Sequence, residues 1–234
     1  MDKITVLIID APALLTTEVR HALSQQPDFR VVDCNPVDDL LVAIEVNLPD
    51  IVLLGSDLAT LSGLELGKKI TCFFPNSKVM MLSPNPNDEE LFEVIKTASV
   101  AYLNKNIAAD ELVRTIRRAY SGEYPINNSL IARTSVAKYV LNQFQDIASM
   151  VKATDHLIAP LNTLEKEILT CAAGGITERR IALTLKTSEQ VIKNHISAIL
   201  RKLITYDRVC GVTLSMQNTP LSVEQTNKDK VAAF

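Results

Sequence analysis

The sequence predicts an α/β fold: a five-stranded, doubly wound parallel sheet over residues 1–122, joined to a second, all-α unit over residues 161–216. Three observations carry this. The 234 residues are enough for two hydrophobic cores of ordinary size. Apolar, β-branched runs begin near Ile4, Phe29, Ile51, Lys78 and Val100, separated by 25, 22, 27 and 22 residues, and each gap shows helical periodicity. Beyond Leu161 the strand-like runs stop, and the charge changes sign from −6 over residues 1–160 to +3 over residues 161–216.

Hydrophobic residues at 47% and charged residues at 22% exclude the disordered, collagen-like and disulfide-scaffold classes. No apolar run approaches the roughly 18–20 residues needed to cross a bilayer, so no membrane partner is expected. Met1-Asp2-Lys3 leads straight into a strand-like run without a basic start or an apolar leader, which places the chain in the cytoplasm. Cys34, Cys72, Cys171 and Cys210 stand far apart with no CxxC pair, so they read as buried thiols rather than metal ligands. Neither a metal nor a cofactor is expected.

The strand runs Val6-Leu7-Ile8-Ile9 and Ile51-Val52-Leu53-Leu54 are continuous rather than alternating, as in parallel strands covered on both faces. In such a sheet the site lies at the carboxyl ends of the strands. Those ends are Asp10-Ala11, Gly55-Ser56-Asp57, Ser83-Pro84 and Asn104-Lys105. With these residues, segment 3–122 resembles the receiver domain of bacterial response regulators. The stretches VLIIDAPALL, PDIVLLGSDLATLSGLEL, VMMLSP and AYLNKNIAADELVRTI stand in that family's order and spacing.

The resemblance implies two acids after the first strand, a phosphate-accepting aspartate after the third, Ser or Thr after the fourth and Lys after the fifth. The acids hold Mg²⁺, the metal and the lysine neutralise phosphoryl charge, and the hydroxyl and a switch aromatic respond to the phosphate. Asp10, Ser83, Tyr102 and Lys105 fit this pattern, whereas Ala11 replaces the second acid, Gly55 stands at the acceptor position and Ala59 replaces a proline. Glycine has no side chain with which to form an acyl phosphate. Asp57, two residues on, is a displaced candidate without an acidic partner at position 11. The site is expected either to close by a Lys105–Asp10 ion pair or to take another ligand.

Residues 123–160 predict a helical linker. Leu130, Ala137, Leu141, Phe144, Ala148 and Val151 form an apolar seam, to be docked on the chain's own sheet unit or used in a homodimer. In the third unit, Asn162 and Glu165 form a capping box and Gly174-Gly175 ends the first helix. Thr177 caps a second helix and Ser188 a third, in which Ile192, Ile196, Ile199 and Leu203 face the core. Another face of that helix carries Gln190, Lys193, Asn194, Ser197 and Arg201, groups suited to DNA phosphates and base edges.

The string LNTLEKEILTCAAGGITERRIALTLKTSEQVIKNHISAILRKL resembles the LuxR-type helix-turn-helix of the NarL/FixJ class of response regulators. It implies a third helix that reads the major groove, with DNA contacts at Lys193, Asn194, Ser197 and Arg201. Gln190, Arg179 and Arg180 complete the basic face, and His195 is read as a packing residue. Lys186 replaces a turn glycine, Arg180 a glutamate and Val191 a threonine of the family pattern. Residues 217–234 read as a flexible tail.

The function expected is therefore a DNA-binding transcription regulator, non-enzymatic and dimeric, controlled by an unidentified protein or small molecule instead of aspartyl phosphorylation. The other reading is a protein-interaction adaptor that binds DNA no better than its charge alone dictates.

Overall fold

A computed structural model describes residues 3–9, 15–35, 39–58, 62–150 and 160–217, with side chains to Ile147 and Val209 in the last two stretches. Asp10, Ala11, Ala59, Val151 and all but the first residue of the 217–234 tail lie outside it, as do the side chains of Ala148 and Cys210.

Strands β1 (Ile4–Ile9), β2 (Phe29–Cys34), β3 (Ile51–Gly55), β4 (Lys78–Ser83) and β5 (Ala101–Asn104) form one parallel sheet in the order β2-β1-β3-β4-β5. The helices between and after them are α1 (Thr17–Ser24), α2 (Leu40–Asn47), α3 (Gly63–Phe73), α4 (Asp88–Lys96) and α5 (Ala109–Tyr120). Alternation along the strands supplies two apolar faces. Val6, Ile8, Leu53 and Met80 pack with Val19, Leu23, Leu112 and Ile116 of α1 and α5. Leu7, Ile9, Val52, Leu54 and Met81 pack on the opposite face with Ile44, Leu66, Ile70 and Leu91 of α2, α3 and α4.

Side-chain caps start four of these helices. Thr16, Asp39, Ser62 and Asn87 accept from the backbone N–H of Val19, Val42, Glu65 and Glu90. Register pairs Gly55 with Leu82 and Ser83 with Asn104, so the predicted site residues converge at one edge of the sheet. There α3 starts directly against the end of β3: a Cβ on Gly63 would lie 2.0 Å from the Gly55 carbonyl oxygen, so only glycine fits.

Helices α6 (Ile126–Ala132) and α7 (Thr134–Met150) follow. The buried stripe of α7 is Val136, Ala137, Val140, Phe144 and Ile147, with Leu141 only half-buried. Of the predicted seam, Leu130, Ala137 and Phe144 are buried in the core and Leu141 packs half-buried against it, while the Ala148 side chain and Val151 lie outside the described residues; Val136, Val140 and Ile147 widen the buried stripe beyond a seam. A single helix docked on two neighbours follows the 3.6-residue period and covers a wider arc than a coiled-coil seam. Those neighbours are α4, where Phe92 and Tyr139 place their rings 5.8 Å apart and Arg133 pairs with Asp88 at 3.0 Å, and α8.

The last unit comprises α8 (Thr163–Ala173), α9 (Glu178–Thr184) and α10 (Glu189–Gln217). The Asn162–Glu165 capping box is formed at both ends, and the Ser188 hydroxyl caps α10 through the N–H of Val191 at 3.2 Å. Thr177 differs from expectation: it sits at the N-cap in extended backbone, but its side chain makes no capping bond. Lys186 adopts φ 51° in the turn before α10, the left-handed conformation that a glycine there would take without strain. Glu165, 3% exposed, also receives the Lys202 ammonium at 2.7 Å, tying α8 to α10.

One apolar cluster runs from Leu7 and Val52 in the sheet through Leu130 and Val140 to Ile168, Ile192 and Leu203, so the sheet unit, the connecting helices and the last unit share a core. Of the thiols read as buried, Cys34 is buried, Cys171 is half-buried and Cys72 is exposed, because it lies on the solvent side of α3. No described helix is long and apolar enough to cross a membrane.

Candidate functional site

At the carboxyl edge of the sheet, Gly55 is buried and Asp57 is exposed in the bend that follows it. Asp10 and Ala11, and with them the expected Lys105–Asp10 pair, lie outside the described residues. Lys105 is half-buried and fixed by its backbone N–H to the Ser83 carbonyl at 2.9 Å. The Ser83 hydroxyl donates to the Glu90 carboxylate of α4 at 2.7 Å, and the Tyr102 hydroxyl donates to the same carboxylate oxygen. The Asn87 N–H donates to the Tyr102 oxygen at 3.2 Å. Burial, reinforced by the bond to Glu90, pushes the Tyr102 phenol up to about 12, so this hydroxyl remains a donor throughout the physiological range.

Both candidate switch side chains are thus tied to the first turn of α4. Among the described residues, the donors at this edge do not form a divalent-cation site. Gly55 and Ala11 offer no side-chain oxygen, and Glu90 is occupied by two hydroxyl donors. Among the described residues no cluster of three or more His, Cys, Asp or Glu side chains could hold a metal.

The second candidate site is the first half of α10. Gln190 and Asn194 are exposed and joined by a 3.1 Å hydrogen bond between their side chains. Lys193 lies 3.7 Å from Glu178 of α9, and Arg179 and Arg180 are exposed at the start of α9. Gln190, Asn194, Arg179 and Arg180 are thus exposed, and Lys193 is half-buried between α10 and α9. Ser197 and Arg201, further along α10, face a different neighbour. Ser197 is half-buried and accepts from the Asn127 side-chain amide of α6 at 2.7 Å, while Arg201 is exposed beside β4 and α6, at the edge of a cavity. His195 is half-buried.

Comparison with known proteins assigns each half. Residues 6–117 match the response regulator receiver domain, and residues 159–214 match the bacterial regulatory proteins of the luxR family. The chain carries a response-regulator receiver module followed by a LuxR-family module. It is 29% identical over 218 residues to the uncharacterized transcriptional regulatory protein YxjL of Bacillus subtilis, covering 93% of this chain and 97% of that one. It is 24% identical over 206 residues to the nitrate/nitrite response regulator protein NarL of Escherichia coli, covering 88% and 91% respectively. Among solved structures, the signal receiver domain of the putative response regulator NarL from Mycobacterium tuberculosis matches 53% of this chain and 100% of its own, with a TM-score of 0.48 and 21% identity.

In this chain the receiver module and the LuxR-type module are docked. Lys68 of α3 pairs with Asp207 of α10 at 2.7 Å, Lys96 of α4 approaches the same carboxylate at 4.0 Å, and Arg208 donates to the Thr71 hydroxyl at 3.2 Å. Ser197 and Arg201 are therefore the positions of this helix face that border α6 and the edge of the receiver. The sequence reading missed Glu90, Asn127, Glu178 and Asp207, since each acts through a partner remote in sequence.

Reversing one docking charge tests whether this contact opposes DNA. Lys68→Glu removes positive charge, so on charge alone it weakens DNA binding. It also repels Asp207, an exposed pair worth up to about 1 kcal/mol. The expected result is a two- to fivefold gain in affinity, on the order of that energy, measured by fluorescence anisotropy at fixed salt.

Proposed function

We propose that this chain is a transcription regulator that binds double-stranded DNA through α9 and α10 and is controlled without aspartyl phosphorylation. The observation that carries the reading is the pairing of two features. Gly55 ends β3 where the receiver pattern places its phosphate acceptor, while the start of α10 presents Gln190 and Asn194 to solvent, with Lys193 half-buried beside them. An acyl phosphate needs a carboxylate, and glycine has none. Asn and Gln offer paired donors and acceptors to base edges, and lysine neutralises phosphate.

In this reading the receiver spans 1–122, the linker 123–160 and the DNA-binding module 161–216. Lys193, Asn194 and Gln190 make the leading contacts, Arg179 and Arg180 add phosphate attraction, and Ser197 and Arg201 join once the modules separate. The protein acts as a homodimer, because one recognition helix reads too few base pairs for a unique site. In this reading it is not an enzyme: among the described residues at the strand ends, none activates a nucleophile.

Incubation with acetyl phosphate and Mg²⁺ tests the control. The intact mass, the oligomeric state and the DNA affinity are expected to stay unchanged. A stable phosphoryl group on Asp57, or a phosphodonor-dependent gain in DNA affinity, overturns this part of the proposal.

A further inference from the structure

Between the receiver and α10 lies a cavity of about 430 Å³, open on one side. Its volume falls within the roughly 300–1,000 Å³ range of small-molecule sites. Its walls come from both modules. The receiver and α6 contribute Thr71, Lys78, Ile95 and Asn127, and α10 contributes Arg201, Ile204 and Arg208. A ligand seated here therefore touches the receiver and the helix that carries the reading face at once.

The chemistry of the lining is one-sided. Lys78, Arg201 and Arg208 are three cations, and among the described residues no acid lines the cavity. The nearby carboxylate of Asp207 is already engaged by Lys68 and Lys96 outside the lining. The Lys78 ammonium is held by the carbonyls of Ala119 and Tyr120 at 2.7 and 3.1 Å, and Arg208 is braced on Thr71. Carbonyl and hydroxyl partners leave these positive charges unneutralised. The remaining wall mixes apolar surface from Ile95, Leu200 and Ile204 with hydroxyl and amide groups. Positive charge without a counter-charge, beside apolar surface, is complementary to an organic anion with a compact apolar body.

We infer that this inter-module cavity binds a small organic anion and that the anion holds the docked arrangement, lowering DNA affinity. The regulatory half rests on the DNA-binding reading above; the binding half stands without it. Arg201 is the shared element. In the docked chain it lines the cavity, and in the DNA-binding reading it turns to phosphate, so anion and duplex compete for one guanidinium and one arrangement of the modules. Linkage makes the effect reciprocal: whatever factor the anion takes from DNA affinity, DNA takes from anion affinity. A receiver that cannot use Gly55 for phosphate thereby acquires a chemical input at another place.

The test uses the full chain with 8-anilinonaphthalene-1-sulfonate, an aromatic anion whose fluorescence rises on burial, and with N-phenyl-1-naphthylamine, its uncharged counterpart. The expected result is saturable binding of one sulfonate per chain. Arg208→Glu is expected to weaken it on the order of tenfold or more, the scale of one charge-assisted contact, with unchanged circular dichroism and melting temperature. The uncharged probe is expected to bind at least as much more weakly. Ile204→Trp, which fills the cavity without changing charge, is expected to abolish the signal. Equal sulfonate binding by the wild type and both variants, equal binding of the two probes, or no binding overturns the site.

The regulatory half is read by anisotropy of a labelled duplex. Saturating sulfonate is expected to weaken DNA binding by the wild type and to leave Arg208→Glu unaffected. An anion that binds the cavity while DNA affinity stays constant overturns the regulation. Failure of the chain to bind any duplex overturns the DNA-binding reading alone, since the probe titration is read without DNA.

Discussion

Gly63→Ala is expected to destabilise the protein by about 3 kcal/mol, close to the upper end for a single substitution. The reason is local and rigid: the added methyl group would lie 2.0 Å from the Gly55 carbonyl oxygen and 2.9 Å from the Ser56 Cα, both backbone atoms. Relief requires α3 to move from the end of β3, which disturbs the buried contacts of Leu66 and Ile70 with the sheet. Gly67→Ala is the control. Its Cβ meets the Met81 methyl group at 3.1 Å, the far end of a flexible side chain, and the helix interior gains about 0.5–1 kcal/mol from losing a glycine. Its net effect is expected to be near zero. Urea denaturation of the two variants gives the contrast directly, and equal stabilities would contradict the close approach of α3 to β3.

The other large effect is expected on DNA. Asn194 can pair with the edge of an adenine, so Asn194→Ala is expected to cost about 1–3 kcal/mol on a cognate duplex and to leave random DNA unchanged. That corresponds to roughly a five- to 150-fold loss. Lys193 meets phosphate in the same reading. Lys193→Ala is expected to weaken cognate and random duplexes alike and to reduce the salt slope by about one. Glu178 of α9 approaches the Lys193 ammonium at 3.7 Å, beyond hydrogen-bond distance, so the lysine remains available to phosphate. Anisotropy titrations over a range of salt separate the two behaviours, and a reading face that does not touch DNA leaves both variants at wild-type affinity.

Local features were the most legible. Continuous apolar runs gave the five parallel strands their starts, and Asn162 with Glu165 marked the start of α8, because a cap and its helix are neighbours in sequence. The same residue shows where legibility ends: nothing in the box shows that Lys202, 37 residues on, completes the charge on Glu165. Glu90 reads as an acid in the first turn of a helix, and only the packing of α4 against β4 and β5 brings it to Ser83 and Tyr102. Thr177 was placed at the right position but its hydroxyl turned elsewhere, a choice of rotamer that residue type does not fix.

The docking of the two modules was the least legible feature. Lys68 and Asp207 are 139 residues apart, and each reads alone as an ordinary surface charge. The face of α10 that sequence assigned as one surface is divided by that docking, with Gln190 and Asn194 open, Lys193 half-buried and Ser197 bound to Asn127. A periodic pattern identifies which residues share a face of a helix; which neighbour covers part of that face depends on contacts made far along the chain. The seam of α7 is wider than its pattern for a related reason, since a helix wedged between α4 and α8 buries more of its circumference than a two-helix seam does.

The most direct test of DNA-sequence recognition is the salt dependence of binding to a duplex selected from bulk genomic fragments, compared with a scrambled duplex of equal length. A specific reader retains an affinity ratio on the order of 10³ or more between the two as rising salt weakens both. That ratio is the result predicted here, together with its insensitivity to acetyl phosphate. Two curves that fall together, with no separation at any salt concentration, would show charge attraction alone and contradict the account.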